Sequence, residues 1–99
     1  MISIIAQYRV KKDKLEIVKH AINDFVNAIK ENEPGTLVYE AFQMPDKVSF
    51  IHFMSFKDET AQKKHEETKY LKKFVDILYP NCEQTPEFTN VDLIKSNRI

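Results

Sequence analysis

The 99-residue chain has one glycine, one cysteine and no tryptophan, and fifteen basic residues balance fifteen acidic ones to zero formal net charge. Each scarcity removes a class of function. With Gly35 alone, no glycine-rich loop can cradle a phosphate with backbone N–H groups, and no dinucleotide fingerprint exists. The lone Cys82 forms no internal disulfide and has no second thiol for a redox pair or a zinc site, so it reads as a bystander near a loop. Zero net charge offers none of the basic excess that neutralises nucleic-acid phosphates, and DNA and RNA are not expected partners. The apolar run at the start, Ile2 to Ala6, is far shorter than a signal-peptide core or a membrane span, which predicts a cytoplasmic protein. No Ser-His-Asp order and no Cys/His metal set is present.

What is present suits one small domain over residues 1–99, since 42% of the residues are hydrophobic and a chain of this length folds around a single core. "ISIIAQYRV", residues 2–10, is β-branched and aromatic and reads as a strand. In "KKDKLE", Asp13 and Glu16 have the spacing of a capping box. Leu15, Val18, Ile22, Phe25 and Ile29 then recur at steps of three and four, one apolar stripe of an amphipathic helix. "ENEPGT" stops it, because the residue before a proline avoids the helical region. Gly35 supplies either a positive-φ turn or a close backbone approach.

A second strand is expected over Thr36 to Met44, a tight turn at "MPDK" with Asp46 bonding nearby N–H groups, and a third strand over Val48 to Phe56. Asp58 caps a short polar helix, "ETAQKKHEE". Thr68 restarts it, and Tyr70, Leu71, Phe74, Val75 and Leu78 form a new stripe ending before Pro80. The last strand is expected over residues 87–95. The order β-α-β-β-α-β predicts an α+β, ferredoxin-like fold: a four-stranded antiparallel sheet with helices on one face. Neither alternating set of the central hairpin is polar, and helices cover one face only. The prediction is a homodimer, packed sheet against sheet, whose closure leaves each subunit a dry chamber.

The strings "EPGTLVYE" and "SFKDETAQKKHEETKYLKKF" resemble the antibiotic biosynthesis monooxygenase family, through Glu33, Pro34, Gly35, Leu37, Tyr39 and Glu40, and then Phe56, Asp58, His65, Thr68 and Phe74. The chain departs from the family pattern at Phe56, where Trp is common, at Tyr70, where a second helix histidine is common, and at Met54, in place of a strand acid. The resemblance implies a dimeric α/β barrel. It also implies activity among cofactor-free oxygenases of quinols and polyphenols, haem degraders or a signal-molecule isomerase; the haem degraders use a strand Trp that is absent here.

Cofactor-free oxygenation of a phenol needs a base, a donor for the developing oxyanion and aromatic walls. His65, Tyr70 and His52 are the candidate catalytic residues, and Tyr8, Glu40, Phe56 and Phe74 the candidate substrate-binding ones. No cofactor and no metal is expected, and the partner is a small aromatic substrate. His65 matches the family histidine, although a histidine in the charged stretch "QKKHEET" is more often a solvated surface residue. His52 interrupts an apolar strand and must find a partner, in the pocket or in a core or interface. A three-residue hairpin loop places Glu40 opposite His52; a two-residue loop places Tyr39 there. The lysines between 63 and 73 read as a solvated face, with an anion clamp as the other reading. Two other functions remain open: a non-catalytic ligand-binding dimer, and an isomerase-like protein acting on a phosphorylated substrate without oxygen.

Overall fold

The computed structural model describes residues 1–98. Strand β1 (Ile2–Arg9) leads through a single 3-10 turn into helix α1 (Leu15–Asn32). Strands β2 (Thr36–Gln43) and β3 (Ser49–Phe56) follow, then α2 (Glu59–Glu66), α3 (Lys69–Leu78) and β4 (Glu87–Val91). The strands form one antiparallel sheet in the order β2-β3-β1-β4, the ferredoxin-like arrangement that the sequence predicts.

Register decides which side chains meet. Tyr8 pairs with Phe50, Ala6 with His52, and Ile4 with Met54, so these six share the face that carries the helices. On the opposite face Ile5 pairs with Phe53, Gln7 with Ile51, and Ser3 with Ser55, the two hydroxyls 3.0 Å apart. The helices deliver Val18, Phe25, Ile29, Phe74 and Leu78 to the core, as the three-and-four spacing requires. The open face keeps Ile5, Val38, Ile51 and Phe53 half-buried and Phe42 exposed.

Several local expectations are corrected. Asp13 does not cap α1: Lys14 occupies the N-cap position and no side chain bonds the first turn. Asp58 and Thr68 do cap, accepting from the N–H groups of Ala61 at 2.8 Å and Leu71 at 3.2 Å. Gly35 has no positive φ. A Cβ built on it would stand 2.7 Å from the Cβ of Ala61, so the glycine is there to let α2 ride close on the entry to β2. The left-handed residue is Lys47, at φ 71° in the hairpin turn, where Asp46 accepts from the Val48 and Ser49 N–H groups as anticipated. Cys82 is no loop bystander, for it is buried in the core and its backbone bridges Val10. The last strand stops at Val91, four residues short of its expected end. Residues 92–98 then run along the open face, where Leu93 and Ser96 share a shallow hollow with Val38, Phe53 and Ser55.

Candidate active site

The site begins where α1 ends. Pro34 forces Glu33 out of the helical region, at φ −124° and ψ 78°, while its N–H still closes the helix on the Ile29 carbonyl at 2.9 Å. Its side chain turns inward and is 6% exposed. A carboxylate so buried needs donors. Thr36 Oγ1 donates to Oε1 at 2.6 Å, His65 Nδ1 lies 2.8 Å from the same oxygen, and the Tyr70 hydroxyl donates to Oε2.

Because a carboxylate only accepts, the hydrogen on His65 sits on Nδ1. The Gly35–Ala61 contact brings α2 down, and His65, one turn beyond Ala61 on the same helix face, lands over Glu33. The ring's other nitrogen, Nε2, has no protein partner among the described residues. Among the described residues no buried side-chain nitrogen or oxygen lacks a partner, so Nε2 keeps some accessible surface, and the His65 ring is part of the wall of a cavity.

That cavity has a volume of about 190 Å³ and lies between the sheet and the helices of a single chain. Ile4 and Ala6 of β1, Met54 and Phe56 of β3, and Phe74 and Leu78 of α3 are part of its apolar lining, and Phe88 of β4, 59% exposed, also lines it. The chamber therefore lies on the helix face of the sheet, not on the open face through which two copies are expected to pack. Among the described residues no lysine or arginine lines it, whereas Glu66 does. Lys63, Lys64, Lys72 and Lys73 are exposed, which removes the anion clamp.

Away from His65, the second histidine is fully engaged. His52, 1% exposed, has Nε2 at 2.6 Å from the Tyr8 hydroxyl and Nδ1 at 2.8 Å from the Tyr39 hydroxyl. Burial pulls its pKa down to about 4, so the ring is neutral at ordinary pH. Burial likewise raises the Tyr8 phenol, with the nearby Tyr39 adding to the effect. Tyr39 is raised by burial and then by the Glu33 charge. Both phenols keep their protons.

Of the seven residues singled out from the sequence, the structure brings five to the cavity: His65, His52, Tyr8, Phe56 and Phe74. Tyr70 is not among the lining residues. Its hydroxyl is committed to Glu33, and burial followed by that bond pushes its pKa above the usual phenol range. Glu40 is exposed on the open face opposite Phe53, because the chain between β2 and β3 is longer than either loop considered and puts Ala41 opposite His52. Tyr39 reaches the imidazole from the diagonal position. Glu33 and Tyr39 are the residues that sequence reasoning passed over as site residues, although both stood in the quoted "EPGTLVYE". A glutamate held at the break between helix and proline was the available signal.

A sheet of this order, carrying helices on one face and a histidine-lined chamber beneath them, defines an α+β, ferredoxin-like domain. The chain matches the model of the family described as antibiotic biosynthesis monooxygenase over residues 1–77, and it belongs to that family. Its fold is shared by a candidate antibiotic biosynthesis monooxygenase from Caulobacter crescentus, at 23% identity with a TM-score of 0.88, covering 95% of this chain and 90% of the other. A candidate of the same name from Nitrosomonas europaea gives 20% identity and a TM-score of 0.87 over 94% and 89% of the two chains. One from Bacteroides thetaiotaomicron gives 18% and 0.89 over 97% and 91%. No curated protein matches the chain. Among the described residues, no helix is long and apolar enough to cross a membrane.

Proposed function

We propose that the chain is a cofactor-independent monooxygenase that oxidises phenolic, quinol-like compounds with O₂, with His65 as the base. The observation that carries this reading is the buried Glu33 carboxylate, which holds one nitrogen of His65 and leaves the other without a partner among the described residues, in a ring that lines an apolar, aromatic-walled cavity. A base needs a free lone pair, a fixed orientation and dry surroundings. His65 has all three, and Glu33 fixes its tautomer.

His65 Nε2 takes the hydroxyl proton of the bound phenol. The phenolate passes one electron to O₂, and the radical pair joins at a ring carbon to give a peroxide. The O–O bond then breaks as that carbon loses its hydrogen, leaving a quinone carbonyl and hydroxide, which takes the proton back from His65. One oxygen atom enters the product and one leaves as water, and the substrate supplies all four electrons. Phe56 and Phe74 pack the aromatic ring, and Tyr70 acts on the base through Glu33 as a positioning residue. At about 190 Å³ the cavity is below the roughly 300–1,000 Å³ common for drug-sized ligands, which suits one or two fused rings.

The open sheet face, with Ile5, Val38, Phe42, Ile51 and Phe53, supports a homodimer packed sheet against sheet. The same reading has the dimer work in the cytoplasm. Light scattering on native protein and on Phe53→Asp tests the dimer, which the substitution is expected to split.

Aerobic incubation with naphthols and reduced naphthoquinones, followed by oxygen uptake and ¹⁸O₂ labelling, tests the activity. One labelled atom per product is expected, and His65→Ala should lower kcat by about 10²–10⁴-fold. Thermal stabilisation by these compounds without any oxygen uptake overturns the oxygenase reading in favour of a ligand-binding dimer.

A further inference from the structure

We propose that Tyr8, His52 and Tyr39 form a second polar site within the cavity, which donates one hydrogen bond to the oxygen of a neutral carbonyl compound such as a bicyclic aryl ketone. The proposal rests on the cavity being a ligand chamber, as in the reading above, and not on its oxygen chemistry.

Two phenols and one neutral imidazole carry three polar hydrogens between them. The three groups make two contacts, Tyr8 with Nε2 and Tyr39 with Nδ1, and neither hydroxyl has any other partner among the described residues. In either tautomer the ring N–H donates to one phenol oxygen, and the bare ring nitrogen accepts from the other phenol. The phenol that accepts is left with a hydrogen that bonds nothing. A change of tautomer moves that leftover hydrogen between Tyr8 and Tyr39 but cannot remove it.

All three groups line the same cavity, His52 and Tyr8 are buried, and the burial that keeps His52 neutral also keeps both phenols protonated. The wall thus offers one hydrogen and needs an acceptor, in a chamber whose other lining nearby is hydrocarbon. A carboxylate or phosphate is a poor candidate: one neutral donor does not compensate a desolvated anion, no lysine or arginine is among the described residues that line the cavity, and Glu66 in the wall and Glu33 behind His65 are acidic. A carbonyl oxygen carries the required lone pair at little desolvation cost. Tyr39 stands between the two histidines, its ring centroid 5.6 Å from His52 and 5.9 Å from His65, so a single small ligand can meet both ends.

The test compares α-tetralone with tetralin, the same skeleton with and without the carbonyl; neither is a phenol, so oxygen uptake plays no part. Dissociation constants for both are measured by ligand-observed NMR on native protein and on Tyr8→Phe/His52→Leu/Tyr39→Phe. Single substitutions are avoided because each leaves at least one spare hydrogen behind. The preference for the ketone over the hydrocarbon should fall about fivefold in the triple variant, the size of one neutral hydrogen bond. On native protein the ¹³C carbonyl resonance of bound α-tetralone should move downfield from its position in hydrocarbon solvent, a readout that does not depend on the variant folding. An unmoved resonance, or a preference ratio unchanged by the three substitutions, overturns the proposal and leaves the oxygenase reading standing.

Discussion

The two ends of the cavity solve the same problem in opposite ways. Each buries a histidine among aromatic rings. His65 has a carboxylate on one nitrogen and leaves the other free, whereas His52 has a phenol on each nitrogen and leaves neither free. The first arrangement is oriented and able to take a proton; the second is neutral and closed on itself. Burial alone therefore does not mark a base. What a buried imidazole can do is set by how many of its nitrogens the protein has already occupied, and by whether the partner is an ion or a hydroxyl.

The largest effect should come from removing the ion. Glu33→Ala leaves the His65 Nδ1–H, the Thr36 hydroxyl and the Tyr70 hydroxyl without their shared acceptor. The expected loss is about 3–5 kcal/mol of unfolding free energy, read from denaturant midpoints. Activity should fall at least as far as in His65→Ala. A Glu33→Ala protein as stable as the native one would remove the distinction between the two ends.

Next in size is the acid response of the His52 end. Its folded pKa of about 4 lies below the ordinary 6.5, so between those values the unfolded chain binds a proton that the folded chain refuses. Stability contributed by this group is complete above about pH 6.5 and is lost as the pH falls toward 4, by about 3 kcal/mol in all. His52→Leu should flatten that part of the stability-against-pH curve relative to native protein. An unchanged slope would show that burial does not hold the ring neutral.

Gly35→Ala should separate the ends by geometry. The added methyl meets Ala61 at 2.7 Å, and neither partner is a flexible side chain that can swing aside. A cost of about 1–3 kcal/mol is expected, with most of it recovered in Gly35→Ala/Ala61→Gly. Because α2 carries His65 and β3 carries His52, the imidazole NMR signals of His65 should shift while those of His52 stay in place. Equal movement of both would mean that α2 is not what sets His65 over Glu33.

The contrast also explains which parts of the molecule could be read from the chain. Spacing of Leu15, Val18, Phe25 and Ile29, and the hydroxyl and carboxylate caps at Thr68 and Asp58, are local signals, and they placed the helices and the order of strands. Glu33 and His65 are 32 residues apart, and their meeting depends on a proline turning one side chain inward and on a glycine admitting a helix. Neither distance nor direction is written in a period. The charged neighbours of His65 suggested solvent because Lys63, Lys64 and Glu67 do lie in solvent on the same helix turn. Glu40 was lost to register: an extra residue in the hairpin moves a side chain to the opposite face, and here Ala41, not Glu40 or Tyr39, faces His52.

The smallest effect tests whether Tyr70 belongs to the chemistry or to its support. Its hydroxyl donates to Glu33 Oε2, but the ring is only half-buried and lies outside the cavity lining. In Tyr70→Phe the carboxylate keeps Thr36 and His65, both on Oε1, and water can reach part of the vacated position. One charge-assisted bond near the surface is then lost and partly replaced, which should cost about 1 kcal/mol by denaturant titration. His65 keeps its partner and its tautomer, so kcat should fall only a few-fold, with KM for the phenol unchanged because Tyr70 does not touch it. A loss in kcat as large as that of His65→Ala would make Tyr70 a proton carrier in its own right, and the division between a charged, working end and a neutral, holding end would have to be redrawn around the Glu33–Tyr70 bond.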